Sequence, residues 1–321
     1  MAQPEVRFGA AFAGGVSEGT ELGGIPEFAQ RAEALGFEYL AAGEHVMDGN
    51  PPRPTLLAIP TLAAAAGATR RIRLLTGVVL APLYHPVILA KLAGSLDVVS
   101  RGRLVFGVGL GGQREGDYEA VGIPTRERGR RADEALALIK RLWTEEHVSF
   151  QGRFYQCQDV TLLPPPVQRP HPPIWVAGRA EGAMRRAALL GDGWYPYLYD
   201  VERYRASVAK VREFAAEAGR SLEGFQWGLL QPLCIAEREE DALRVAVATL
   251  GQRYRSARRP PEEVVRDYCV LGSPQGVIRE VERRIEAGAR HIVFNWVGTD
   301  DRAGWEQMET VGKHVLPYFR G

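Results

Sequence analysis

Residues 73–109 read RLLTGVVLAPLYHPVILAKLAGSLDVVSRGRLVFGVG, and this stretch carries the pattern on which the fold depends. It opens on a β-rich run, Arg73–Val79, and closes on another, Leu104–Gly109. Between them Pro86–Val99 places Val87, Leu89, Ala90, Leu92, Ala93 and Leu96 at helical spacing. A strand, an amphipathic helix and a strand form a βα unit, which predicts parallel pairing through a right-handed crossover.

The same alternation extends in both directions. Upstream are a strand at Val6–Phe12, a helix over Ile25–Leu35 stopped by Gly36, a strand at Tyr39–Ala42 and an Ala-rich helix from Thr55. A loop rich in Gly, Asn and Pro, Gly49–Pro54, precedes that helix. Downstream come a helix at Arg126–Trp143, a hairpin over Val148–Leu163 turning near Gln151 and Gly152, and the proline-rich Pro164–Pro173. Strands at Ile174–Gly178, Gly193–Pro196, Gln226–Ala236 and His291–Asn295 follow, with helices at Glu181–Leu190 and Val201–Ala218. Two or three helices occupy Glu239–Ala287, and a last helix closes the chain. The count is eight strands with no low-complexity linker. We therefore expect one α/β domain over residues 1–321: a (β/α)8 TIM barrel with an insertion between strands four and five and extra helices before strand eight. An open doubly wound sheet is the rival.

Composition narrows the function. Lys plus Arg is 40 against 39 for Asp plus Glu, a net charge of +1 over 321 residues, which argues against a nucleic-acid partner. No apolar run has the length of a membrane helix, and Met1–Gly15 lacks the shape of a secretory leader. Cys157, Cys234 and Cys269 are too scattered for a zinc site or disulfide framework, so a reducing, cytoplasmic setting is expected. His-Glu-x-x-His, Cys-x-x-Cys and Gly-x-Ser-x-Gly motifs are absent, leaving no sequence basis for a metal site or a hydrolase elbow. The lysines, Lys91, Lys140, Lys210 and Lys313, all fall in predicted helices, which disfavours a Schiff-base aldolase.

A barrel places its site at the C-terminal ends of the strands. After the second strand stand Glu44 and His45: a histidine that can exchange protons near neutral pH beside a carboxylate able to orient it. A half-buried histidine holding a loop reads equally well. After the third come Thr76, Gly77 and Val78, where glycine lets a flat ring approach the backbone or merely relieves packing. After the fourth, Gly107–Gln113 is glycine-rich, yet its third glycine is misplaced for a dinucleotide fingerprint. After the fifth, Gly178, Arg179 and Ala180 lead into a helix start, an anion site with an arginine at hand or a plain βα turn. Trp194, Tyr195, Tyr197 and Trp296 near strand ends fit an apolar pocket that accepts planar groups, and fit core packing equally well.

Longer segments carry a resemblance. IRLLTGVVLAPLYHPVILAKLAGSLDVVSRGRLVFGVGLGGQREGDYEAVG (72–122), RGRRADEALALIKRLWTEEHVSFQGRFY (128–155) and LPPPVQRPHPPIWVAGRAEGAMRRAALLGDGW (163–194) resemble the bacterial luciferase-like superfamily of flavin- and deazaflavin-dependent oxidoreductases. The resemblance implies the same barrel. It implies that His45, with Glu44, faces the cofactor ring as the catalytic pair, and that Gly77-Val78 is a non-proline cis peptide behind the ring, next to Thr76. It implies that Gly109–Gln113 lines the ribityl chain and that Gly178, Arg179 and Ala180 hold its phosphate. FMN-using members often place a phosphate-binding arginine in the strand-four loop, where this sequence has Leu110. The resemblance thus implies coenzyme F420 as cofactor, with FMN the alternative, in an oxidoreductase or an FMN-dependent monooxygenase. It further implies a small-molecule substrate and a homodimer packed through the helices after strands two and three.

Overall fold

The computed structural model describes residues 5–12, 24–47, 55–111, 115–251 and 259–320. Eight parallel strands form a closed ring: β1 (Arg7–Ala11), β2 (Tyr39–Ala42), β3 (Arg73–Thr76), β4 (Leu104–Gly109), β5 (Ile174–Val176), β6 (Gly193–Trp194), β7 (Gln226–Ile235) and β8 (His291–Trp296). Each pairs with the next, and β8 returns to β1 with Arg7 opposite His291 and Ala10 opposite Phe294. The ring excludes the open doubly wound sheet. Helices α1 (Gly24–Ala34), α2 (Ala58–Ala68), α3 (Pro86–Val99), α4 (Glu115–Ala120), α5 (Arg128–Thr144), α6 (Glu181–Leu190) and α7 (Val201–Glu217) lie outside the ring, and four more follow β7.

Local chemistry starts several of these helices. Pro86 occupies the first turn of α3, where its missing N–H costs nothing. The Asp200 carboxylate accepts the Arg203 N–H at 2.8 Å and caps α7, a contact typically worth about 1 kcal/mol.

Side chains alternate across each strand, so the ring has two cores. Phe8, Ala10, Leu40, Leu74, Leu104, Phe106, Ile292 and Phe294 pack outward against the helices. Ala11, Tyr39, Ala41, Leu75, Val105, Trp175, Tyr195 and Val293 fill the interior. Large groups crowd the lower end, where the Tyr39 hydroxyl meets His291 Nδ1 at 2.8 Å and Trp175 packs on both rings.

The expected hairpin is present as Val148–Gln151 paired antiparallel with Gln156–Val160, between β4 and β5. Buried or half-buried carboxylates tie it and its neighbours to the barrel. Glu134 accepts the N–H groups of Arg153, Phe154 and Tyr155 at its turn, and Asp97 accepts those of Val167 and Gln168 in the proline-rich run. An ionised carboxylate is acceptor-only with room for several donors, so one side chain pins a loop that has no ladder of its own.

Two sequence readings need correction. The run Arg73–Val79 is not one strand: the ladder stops at Thr76, and Val79–Leu80 pairs separately with Val108 and Gly109. Between β7 and β8 lie α8 (Glu239–Ala246), a π turn at Val247–Gly251, α9 (Pro261–Tyr268) and α10 (Pro274–Glu286). They enclose a short strand, Val270–Gly272, that the helical periodicity concealed; it pairs with β7 outside the ring. The last helix is α11 (Asp301–His314).

Candidate active site

The upper interior is built from small residues. Ala11 belongs to the interior core, and alternation puts Gly43, Gly77, Gly107 and Ala177 on the same inner face, each two residues beyond an interior side chain. These positions on five consecutive strands, β1 to β5, carry nothing larger than a methyl group, and the half-buried Val78, packed against the interior core, is the larger side chain beside them. Opposite this bay stand Tyr197, Leu230 and Asn295, all half-buried, with the Asn295 amide donating to the Tyr197 hydroxyl at 3.4 Å.

The floor of the bay is dictated by close backbone contact. A Cβ on Gly107 would stand 1.9 Å from the Thr76 carbonyl oxygen, so only glycine lets the ends of β3 and β4 meet there. The Thr76 hydroxyl crosses the same junction and donates to the Gly107 carbonyl at 2.7 Å. The Gly77-Val78 peptide is cis. Beneath it lies Tyr195, fully buried, its hydroxyl without a partner among the described residues. Burial pushes that phenol well above its usual titration range.

Past β2 the chain presents Glu44, buried, and His45, whose side chain is 26% exposed. Glu44 does not orient the histidine. One of its oxygens accepts the Leu80 N–H at 3.0 Å and the other the Ala58 N–H at 3.2 Å, so it joins the end of β2 to the start of α2 and to the segment after the cis peptide. Burial raises its titration, opposed by those two N–H groups, and the Tyr84 phenol beside it is pushed up by its own burial and by the Glu44 charge. His45 Nδ1 instead meets Asp117 Oδ2 at 2.8 Å. Asp117 lies on α4, is fully buried, and its other oxygen accepts the N–H groups of Val46 and Met47 at 2.8 and 2.9 Å.

On the β5 side Gly178 has φ +128°, a conformation only glycine adopts without strain. Its carbonyl accepts the Trp194 indole N–H at 3.0 Å, and Ala180, the residue at the N-cap of α6, offers no side-chain cap. The first N–H groups of α6 thus lack a capping side chain and carry the positive end of the helix dipole. Arg179 is half-buried beside them, and among the described residues its guanidinium reaches the Leu198 carbonyl at 3.5 Å.

The luciferase-like monooxygenase family model matches residues 7–291. The chain belongs to that family. It is 30% identical to an FMNH2-dependent dimethylsulfone monooxygenase from Pseudomonas putida, over 92% of this chain and 87% of the relative. It is 28% identical to an F420-dependent glucose-6-phosphate dehydrogenase from Kineococcus radiotolerans, over 93% of each. A monooxygenase from Streptomyces bottropensis superposes with a TM-score of 0.82 at 26% identity, covering 98% of this chain and 99% of that one. This luciferase-like protein is therefore an enzyme of the oxidoreductase and monooxygenase class whose relatives include both F420 and FMN users.

The predicted site residues fall into three groups. His45, Gly77, Val78, Gly178, Arg179 and Ala180 are half-buried or exposed around one mouth. Thr76, Gly109 and Glu44 are buried, with Thr76 and Glu44 donating or accepting toward backbone; they shape the mouth and do not reach into it. Gln113 and the loop at 48–54 lie outside the described residues. The aromatic residues near strand ends divide likewise: Trp194 stacks on Tyr204 in the outer core, and of the four only Tyr197 remains half-buried. Asp117 escaped the sequence reading because nothing local marks it; its partner is 72 residues away.

These features suit a phosphorylated tricyclic cofactor. A bay walled on one side by Gly and Ala positions and Val78 matches a flat ring, and an uncapped helix start with an adjacent arginine matches a phosphate. Among the described residues no helix is long and apolar enough to cross a membrane.

Proposed function

We propose that this enzyme binds coenzyme F420 across the bay and uses it for hydride transfer to or from a small organic substrate. The observation that carries the reading is the His45–Asp117 pair at the rim, because moving a hydride at a carbon bearing oxygen requires a proton to move at that oxygen. The ring, when bound, supplies or accepts the hydride. Gly77 and Val78 would support it from behind. The Gly178–Ala180 turn and Arg179 would hold its phosphate, and His45 Nε2 would take the proton from a substrate hydroxyl or return it.

Leu110, in place of the arginine that FMN-using relatives often carry, favours F420. The 30% identity to an FMNH2-dependent enzyme favours the second reading, an FMN-dependent monooxygenase. Titration of the apoprotein with F420 and FMN separately, followed by fluorescence quenching, tests both. Tighter retention of F420 is expected; retention of FMN alone selects the second reading, and retention of neither overturns both.

The reading includes a homodimer. Ile88, Leu92 and Val99 on α3 are 57%, 40% and 62% exposed, and Ala63, Ala64 and Gly67 on the neighbouring α2 are exposed as well. Together they form an apolar, closely approachable face.

A further inference from the structure

We propose that Asp117 is a positioning residue that holds His45 with the proton on Nδ1, leaving Nε2 as the atom that exchanges protons with the substrate. The inference deepens the hydride-transfer reading and rests on it for its kinetic arm only.

The argument begins with the carboxylate. Asp117 is fully buried, and every contact it makes in the described structure runs to the loop carrying His45: Oδ1 to the N–H groups of Val46 and Met47, Oδ2 to His45 Nδ1. Two backbone donors fix the plane of the carboxylate, so the direction of Oδ2 is set before the imidazole arrives. A carboxylate accepting two backbone N–H groups is an acceptor, and the 2.8 Å contact to Nδ1 is a hydrogen bond only if Nδ1 carries hydrogen. The neutral ring then has its lone pair on Nε2, which has no partner among the described residues.

The neighbours support this geometry. Thr55 donates its hydroxyl to the His45 carbonyl at 2.9 Å, anchoring the backbone from the other side. Among the described residues, the charged groups facing His45 are Asp117 from α4 and Glu44 from the end of β2; the latter is engaged by Ala58, Leu80 and the Tyr84 phenol. Tyr118, next to Asp117, donates its hydroxyl to the Leu110 carbonyl, so α4 ties the loop after β4 to the loop after β2. A negative charge at Oδ2 also stabilises the imidazolium once Nε2 has accepted a proton, as a neutral amide at the same place cannot. In the oxidative direction the substrate O–H bond would break as the Nε2–H bond forms, the oxygen's electron pair would close the C=O bond, and the C–H pair would leave as hydride for oxidised F420, which the proposed function supplies; the reverse direction would return both.

The test combines nitrogen NMR with kinetics. In the apoprotein labelled with 15N-histidine, and with the His45 signals assigned by their loss in His45→Gln, neutral His45 is expected as the Nδ1–H tautomer. Observation of the Nε2–H tautomer in the wild-type protein overturns the proposal, whichever cofactor binds. In Asp117→Asn the tautomer preference is expected to weaken. There kcat is expected to fall by about 10²–10⁴-fold, with cofactor Kd nearly unchanged, and the ascending limb of the kcat–pH profile to move to lower pH. Asp117→Glu should restore part of the activity. A lowered melting temperature with an unmoved tautomer and pH limb would reduce Asp117 to a loop anchor and sink the idea. Loss of cofactor binding by the wild-type protein would instead sink the hydride-transfer reading and leave the NMR result standing.

Discussion

The Glu44 carboxylate accepts the Leu80 N–H at 3.0 Å, and this single contact joins the end of β2 to the segment beyond the cis Gly77-Val78 peptide. Its second oxygen serves Ala58 at the start of α2. Glu44→Ala would leave two N–H groups without their acceptor, each costing about 1–3 kcal/mol when buried. A loss of roughly 2–6 kcal/mol in urea unfolding is expected. A variant as stable as wild type would show that water replaces the carboxylate.

His45 has the opposite profile. It is partly exposed and makes one side-chain contact in the described structure, so its removal should leave the fold nearly intact. His45→Ala is expected to lower kcat by about 10²–10⁴-fold while cofactor Kd stays close to wild type. Unchanged turnover would remove it from the mechanism.

The proposed phosphate turn separates two glycines. A Cβ on Gly182, in the first turn of α6, meets nothing within 4 Å, and alanine there should stabilise the helix by about 0.5–1 kcal/mol. Gly178 has φ +128°, and a Cβ added to it would stand 2.6 Å from the Ala183 Cβ. Gly178→Ala should therefore lower both the melting temperature and the affinity for the phosphorylated cofactor. Affinities measured by quenching that are equal in the two variants would place the phosphate elsewhere.

At the lower end of the barrel, burial holds His291 neutral until about pH 3, with Arg7, Arg73 and Arg290 adding to the effect. The unfolded imidazole takes its proton near pH 6.5. Between those values the unfolded state binds the extra proton, so this residue makes stability fall as pH drops from about 6.5 toward 3. Denaturation midpoints across that window should be flatter with pH in His291→Gln than in wild type. Parallel curves would assign the acid sensitivity to other groups.

The exposed face of α3 offers a test of assembly. Ile88→Asp puts a charge at the centre of the proposed dimer face, and light scattering should record half the wild-type mass. A monomeric wild-type protein would remove the dimer from the reading.

The order of strands and helices was legible because periodicity is local: Leu104–Gly109 reads as a strand and Pro86–Val99 as a helix from their own residues. The strand-end glycines and the Gly178–Ala180 turn were legible for a related reason, since backbone geometry that demands glycine marks the chain where it occurs. Local chemistry thus suffices for the barrel and for the rim on which a barrel places its site, whereas the roles proposed for the residues there came from the resemblance. The pairing of side chains is different, because it exists only once the strands have packed together. Glu44 sits next to His45 in the chain yet turns to backbone N–H groups at Ala58 and Leu80, while Asp117 crosses 72 residues to take the imidazole. A hydrogen bond between distant positions leaves no periodic trace in either segment; the folded barrel, in which the loops after β2 and β4 meet across the end of the intervening β3, selects which carboxylate the histidine meets.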